Sequence, residues 1–154
     1  MTATVMKINL ARRERQVLEG LADGRTLARV ASDLTVKNGT ATGYLRHARA
    51  KLYGASETEA ALAIAYATQA ITPPEPLDPE GLDLPAEQRD LVPLIARGMS
   101  VTEMGTEVKR PLDLIRSDSQ QLLRNLDAKN RVHAVTRLWQ YRMLTADQVI
   151  AWLR

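Results

Sequence analysis

Thr42, Arg46, Arg49 and Tyr53 are three or four positions apart, so on a helix they share one face. The opposite face takes Ala41, Leu45, Ala48 and Leu52. A guanidinium is permanently charged and carries a planar fork of donors, which suits phosphate oxygens and the O6/N7 edge of guanine. Arg46 is the candidate for such a base edge, and the methyl of Thr42 for a thymine methyl. Asn38, Gly39 and Gly43 flank the N-terminal end of this face. Glycine there lets the backbone approach a base or phosphate closely, unless Gly43 merely packs beneath a neighbouring side chain. Arg25, Arg29, Lys37, Arg49 and Lys51 are candidates for phosphate contacts, which position without specifying sequence. Thr26, at a helix N-terminus, is another. The competing reading of any exposed arginine is plain solvated surface.

Bond-making chemistry finds little support. Cysteine is absent, which excludes disulfides, thiolate ligands and cysteine nucleophiles. Two histidines, His47 and His133, argue against a zinc site, and His47 reads as a surface residue. Glu14 reads as a structural partner for a backbone donor or an arginine. There is no catalytic triad, phosphate loop or metal-ligand cluster, so neither an enzyme nor a cofactor is expected. No apolar run approaches 18 residues and no secretory signal opens the chain, so the expectation is a cytoplasmic protein without a membrane segment. The net charge is only +3, but it is unevenly placed. Residues 1–76 carry ten Lys/Arg against seven Asp/Glu, and residues 77–154 carry eleven of each.

The elements that position these residues read as helices, with no persuasive strand. Val17, Leu18, Leu21 and Ala22 give helical spacing, and Gly24 closes that run. Thr26 caps a second helix with Leu27, Val30, Ala31 and Leu34 on its buried stripe. A turn through residues 35–38 leads to the third helix, with Asn38 its better cap. Ser56 and Glu59 fit a capping box for a fourth helix, Thr58 to about Ala70.

The chain then matches itself without a gap at a shift of 74 residues. Leu10 meets Leu84, Arg15 meets Arg89, Gly24 meets Gly98, and Leu52 meets Leu126. Between the copies, Pro73, Pro74, Pro76 and Pro79 predict a semi-rigid linker of polyproline character. The expected organisation is a first domain at 1–72, a linker at 73–83 and a second, divergent domain at 84–154. In the second copy, Ser100 and Glu103 form a capping box, Pro85 and Pro111 suit helix starts, and Pro93 should kink its helix. Thr145 and Gln148 cap a short C-terminal helix bearing Val149, Ile150, Trp152 and Leu153. The face equivalent to that of Arg46 offers Arg116, Ser117, Gln120 and Arg124, with Asp113 and Asp118 set to face or flank phosphates. Ser119 falls where core is expected and Leu123 where solvent is, which suggests a surface reassigned to protein.

A short helix, a tight turn and a second helix with a basic outer face describe a helix-turn-helix. Leu10, Arg13, Glu14, Val17 and Leu18, then Ala22, Gly24 and Thr26, then Ala31, Leu34, Lys51 and Leu52 make the pattern more specific. Over about residues 8–70 the chain resembles the LuxR/GerE-type DNA-binding domain. The second copy, about 82–144, is similar only through its alignment to the first. The lysine that commonly touches DNA in that family is Thr42 here. The resemblance implies an all-α fold of two tandem four-helix domains plus a C-terminal helix. It implies a sequence-specific double-stranded DNA-binding transcription regulator that places its third helix in the major groove. The alternative is an interaction module that uses the same scaffold to bind RNA polymerase or another regulator. Self-association is a further expectation, through the alanine-rich fourth helices and Trp152.

Overall fold

The computed structural model describes residues 7–153, and among them every regular element is helical. Helix α1, Arg12–Ala22, buries Val17, Leu18, Leu21 and Ala22. It closes at Gly24, whose φ of +89° only glycine adopts without strain. The Thr26 hydroxyl accepts the Arg29 amide at 3.1 Å and starts α2, Leu27–Leu34. Gly20 lets the two helices close up, because a Cβ there would lie 2.7 Å from Val30 Cγ2. Thr35 takes a left-handed conformation at the end of α2, and the Val36 amide reaches back to the Ala31 carbonyl. That closure leaves Lys37 as the extended residue before α3, Asn38–Lys51. Asn38 is therefore inside the helix, not its cap, and no side chain caps this end.

Helix α4 runs Thr58–Ala67 and stops three residues short of the expected Ala70. Gln69, at φ 59°, turns the chain and sends the Ala70 amide to the Ala65 carbonyl. The expected Ser56–Glu59 capping box is not formed: Glu57 is the cap residue, without a side-chain bond. Glu59 lies instead 3.9 Å from Arg131.

In the second half, Pro93 does more than kink a helix. The helix divides into α5, Ala86–Arg89, and α6, Val92–Ala96, with Pro93 in the first turn of α6 where its missing donor costs nothing. The Ser100–Glu103 capping box opens α7, Val101–Val108. Helix α8, Leu112–Asn125, follows a cap at Pro111, and α9 spans Arg131–Gln140. Thr145 and Gln148 form their capping box at the start of α10, Ala146–Trp152. The bounds of α2 and α7, and of α3 and α8, lie 74 residues apart at both ends. Left-handed backbone recurs at the same interval, at Gly24 and Gly98, Thr35 and Lys109, and Tyr53 and Asp127.

One core runs through both halves and joins Leu18, Leu62, Ile95, Leu138 and Val149. A smaller cluster, Val17, Leu21 and Val30, holds α2 against α1. Helix α4 sits centrally, with α9 and α10 packed on it, and α1 also rests on α9. Residues 61–66 of α4 are all buried, so the face expected to pair two chains is covered within this one. The proline-rich stretch is not a bare spacer. Leu77 donates its amide to the Gln140 carbonyl at 2.9 Å, Gln140 Nε2 donates to the Glu75 carbonyl at 3.0 Å, and Pro79–Gly81 form a 3-10 turn.

Candidate nucleic-acid interface

Helix α3 rests on α1 and α2 through Ala41, Ala48 and Leu52, all fully buried, and through half-buried Leu45. Its other face is open. A Cβ at Gly39 would meet nothing within 4 Å, and one at Gly43 only the Arg46 guanidinium at 4.0 Å. Gly43 is thus not a packing glycine. Two glycines in a helix cost about 1 kcal/mol each relative to alanine, and no close packing offsets that. Arg46 and Lys37 are exposed and form no ion pair among the described residues. Thr42 is exposed, with its hydroxyl committed to the Asn38 carbonyl at 2.9 Å.

The other basic residues are occupied. Arg25 reaches Asp33 at 3.0 Å and Asp23 at 3.2 Å, and Arg29 reaches Asp33 at 3.2 Å. These pairs are exposed, so each holds weakly and a phosphate can compete for the guanidinium. Arg49 donates from Nη1 to the Ser56 carbonyl at 2.9 Å and ties down the loop after α3. Lys51 binds Glu14 at 2.8 Å. Glu14 also accepts the Ala11 amide at 2.9 Å. Burial raises the Glu14 pKa, but the bonds from Lys51 and Ala11 outweigh it and hold the carboxyl below its ordinary range. Glu14 is thus the structural residue expected, with the Ala11 amide as its backbone donor and a lysine, not an arginine, as its side-chain partner.

Helix α8 presents a different face. Asp113 is exposed and lies 3.7 Å from Arg116. Ser117, Gln120 and Arg124 are exposed beside them. Asp118 does not face outward as expected; it is half-buried and bound to Arg110 at 3.2 Å. Leu112 and Leu114 stand 39% and 53% exposed at the leading end of the helix. Leu123 packs on the core, whereas the Ser119 hydroxyl is buried with no partner among the described residues. Val101, Arg116, Ser119, Gln120, Leu123 and Arg131 line a shallow, mainly apolar hollow. No group of His, Cys, Asp and Glu among the described residues is arranged to hold a metal, and no helix is long and apolar enough to cross a membrane.

A helix, a tight turn and a second helix with an open basic face, as α2 and α3 form, is a helix-turn-helix arrangement. Residues 8–64 match the GerE family model, bacterial regulatory proteins of the luxR family. The match lies within the first half and covers α1 to α3 and most of α4. That family implies a helix-turn-helix DNA-binding transcription regulator. Searches of curated proteins and of solved structures return no match.

Sequence reasoning did not find the Glu14–Lys51 pair, nor its counterpart, Asn125 Nδ2 donating to Gln88 Oε1 at 2.7 Å. The 74-residue shift would have exposed the relation, since it carries position 14 to 88 and 51 to 125. It also missed Asn130 and Thr136, which bond to the carbonyls of Gly24 and Ala22.

Proposed function

We propose that the protein is a sequence-specific double-stranded DNA-binding transcription regulator that places α3 in the major groove. The observation that carries this reading is the bare outer face of α3, where Gly39 and Gly43 leave the backbone open beside an Arg46 that is unpaired among the described residues. Arg46 forks onto a guanine, Thr42 offers its methyl to a thymine, and Asn38 bonds a base edge or phosphate. Lys37, Arg25, Arg29 and the α2 N-terminus at Thr26 hold phosphates. Arg49 and Lys51 act as positioning residues, one on the loop after α3 and one on α1.

Residues 1–72 are the DNA-binding domain, 73–83 the connecting segment, and 84–154 a second, degenerate copy. Three observations support the copy: the 74-residue recurrence of α2 and α3 in α7 and α8, the recurrence of left-handed positions, and the Gln88–Asn125 pair standing where Glu14 and Lys51 pair. Arg116, Ser117, Gln120 and Arg124 lie on the face of α8 that corresponds to the Arg46 face of α3. A second reading gives the module a protein partner, RNA polymerase or another regulator. The exposed Leu112 and Leu114 favour it for the second half.

Fluorescence anisotropy of the full chain on duplexes selected from a random pool tests the proposal. The logarithm of affinity should fall steeply with that of salt, by about 0.9 per phosphate neutralised. Arg46→Ala should weaken the selected duplex by about 1–3 kcal/mol and relax the preference at one base pair. A flat salt response, or wild-type binding by Arg46→Ala, moves the assignment to the protein-binding reading.

A further inference from the structure

The two halves touch each other reciprocally. A Cβ at Gly24 would press on Lys129 and His133 at the start of α9, and one at Gly98 would press on Glu57 at the start of α4. Asn130, just before α9, also donates to the Gly24 carbonyl at 2.9 Å. Helix α1 packs on α9 and α6 packs on α4, with α4 against α9 between them. The Tyr66 and Trp139 rings meet there at 5.5 Å. Each half thus offers the same surface to the other, which is the defining property of a two-fold interface between identical subunits. Here it lies inside one chain, with α9 and α10 packed on α4 and residues 61–66 of α4 all buried.

A two-fold arrangement makes α3 and α8 equivalent, and in a helix-turn-helix dimer two such helices address half-sites about one turn apart. The leading residues of these helices are not equivalent. Where α3 opens with Asn38, Gly39 and Thr40, α8 opens with Leu112, Asp113 and Leu114. Two exposed leucines offer base edges no polar group, and the exposed Asp113 carboxylate repels phosphates. Asp113 also draws on the charge of Arg116 at 3.7 Å.

We infer that this protein recognises an asymmetric duplex site as a single chain, with one half-site read by α3 and a flank that α8 does not read. The inference rests on the DNA-binding reading above. Selection from randomised duplexes with the full chain, followed by native mass spectrometry of the complex, tests it. The expected result is a motif without an inverted repeat, bound by one chain per duplex. Arg46→Ala should lose about tenfold in affinity together with the motif, whereas Ser117→Ala and Gln120→Ala should stay within about twofold and keep it. A palindromic motif, two chains per duplex, or a changed preference in Gln120→Ala overturns this inference while DNA binding stands. No enriched or bound duplex at all removes both readings.

Discussion

Replacing Lys51 by alanine strands the Glu14 carboxylate, whose side chain is only 7% exposed. One charge-assisted bond, at 2.8 Å, is lost and the Ala11 amide remains. Charge-assisted hydrogen bonds contribute about 1.5–3 kcal/mol. The Lys51 side chain is 45% exposed, so solvent screens the pair and the expected loss is about 1–2 kcal/mol. At about 2–4 °C per kcal/mol for a chain of this size, the melting temperature should drop by roughly 2–8 °C. The pH dependence gives the signature. A carboxyl held below its ordinary value of 4.5 contributes stability that is present above that pH and is lost as pH falls through the folded value. The gap between wild type and Lys51→Ala should therefore be full at neutral pH and narrow on acidification below about pH 4.5. Installing the pair found in the other half, Glu14→Gln with Lys51→Asn, should recover most of the loss. Thermal melts by circular dichroism at several pH values measure all three. A gap that does not change with pH, or a Lys51→Ala protein as stable as wild type, refutes the argument.

Gly43→Ala should stabilise the fold by about 1 kcal/mol, because the new methyl meets only the Arg46 guanidinium at 4.0 Å. The same change should weaken duplex binding in anisotropy, and unchanged affinity would show that the bare backbone has no role. Thr136→Val removes the donor to the Ala22 carbonyl and the contact with the Tyr66 hydroxyl, and urea unfolding should record a loss of about 1–3 kcal/mol. His133 is buried, and desolvation, followed by Arg137 and Lys129, lowers its pKa from 6.5. Its share of stability is present above pH 6.5 and is lost as pH falls through the folded value. His133→Gln should flatten the fall in melting temperature below pH 6.5.

Local signals were legible wherever a side chain acts on its own turn. Thr26, Ser100 and Thr145 all cap as their spacing to the third helical residue requires, and Gly24 turns the chain as its type requires. Reading failed where a distant group takes the side chain. Glu59 stands beside Arg131, 72 positions away, instead of capping its own helix. Asn38 lost the capping position because Thr35, without being glycine, adopts the left-handed turn that closes α2. Within the candidate site, the basic face of α3 could be read from periodicity. Which cations are free on it could not, because that depends on Glu14, Asp33 and the Ser56 carbonyl.

The covering of α4 by α9 and α10 also orders events during synthesis. Once synthesis has passed α4, Leu62, Ile64 and Tyr66 are still to be sheltered, and core residues of α9 and α10, Leu138 and Val149 among them, lie far downstream. At about 5–20 residues per second, translating the remaining chain takes roughly 4–17 s. Throughout that interval the growing chain displays an alanine-rich apolar helix face that α9 and α10 do not yet cover, and such transiently exposed surface is prone to aggregate. The first half thus reaches its final form only once the second has been made, and a translation stall between α4 and α9 should yield an insoluble fragment rather than a small DNA-binding protein.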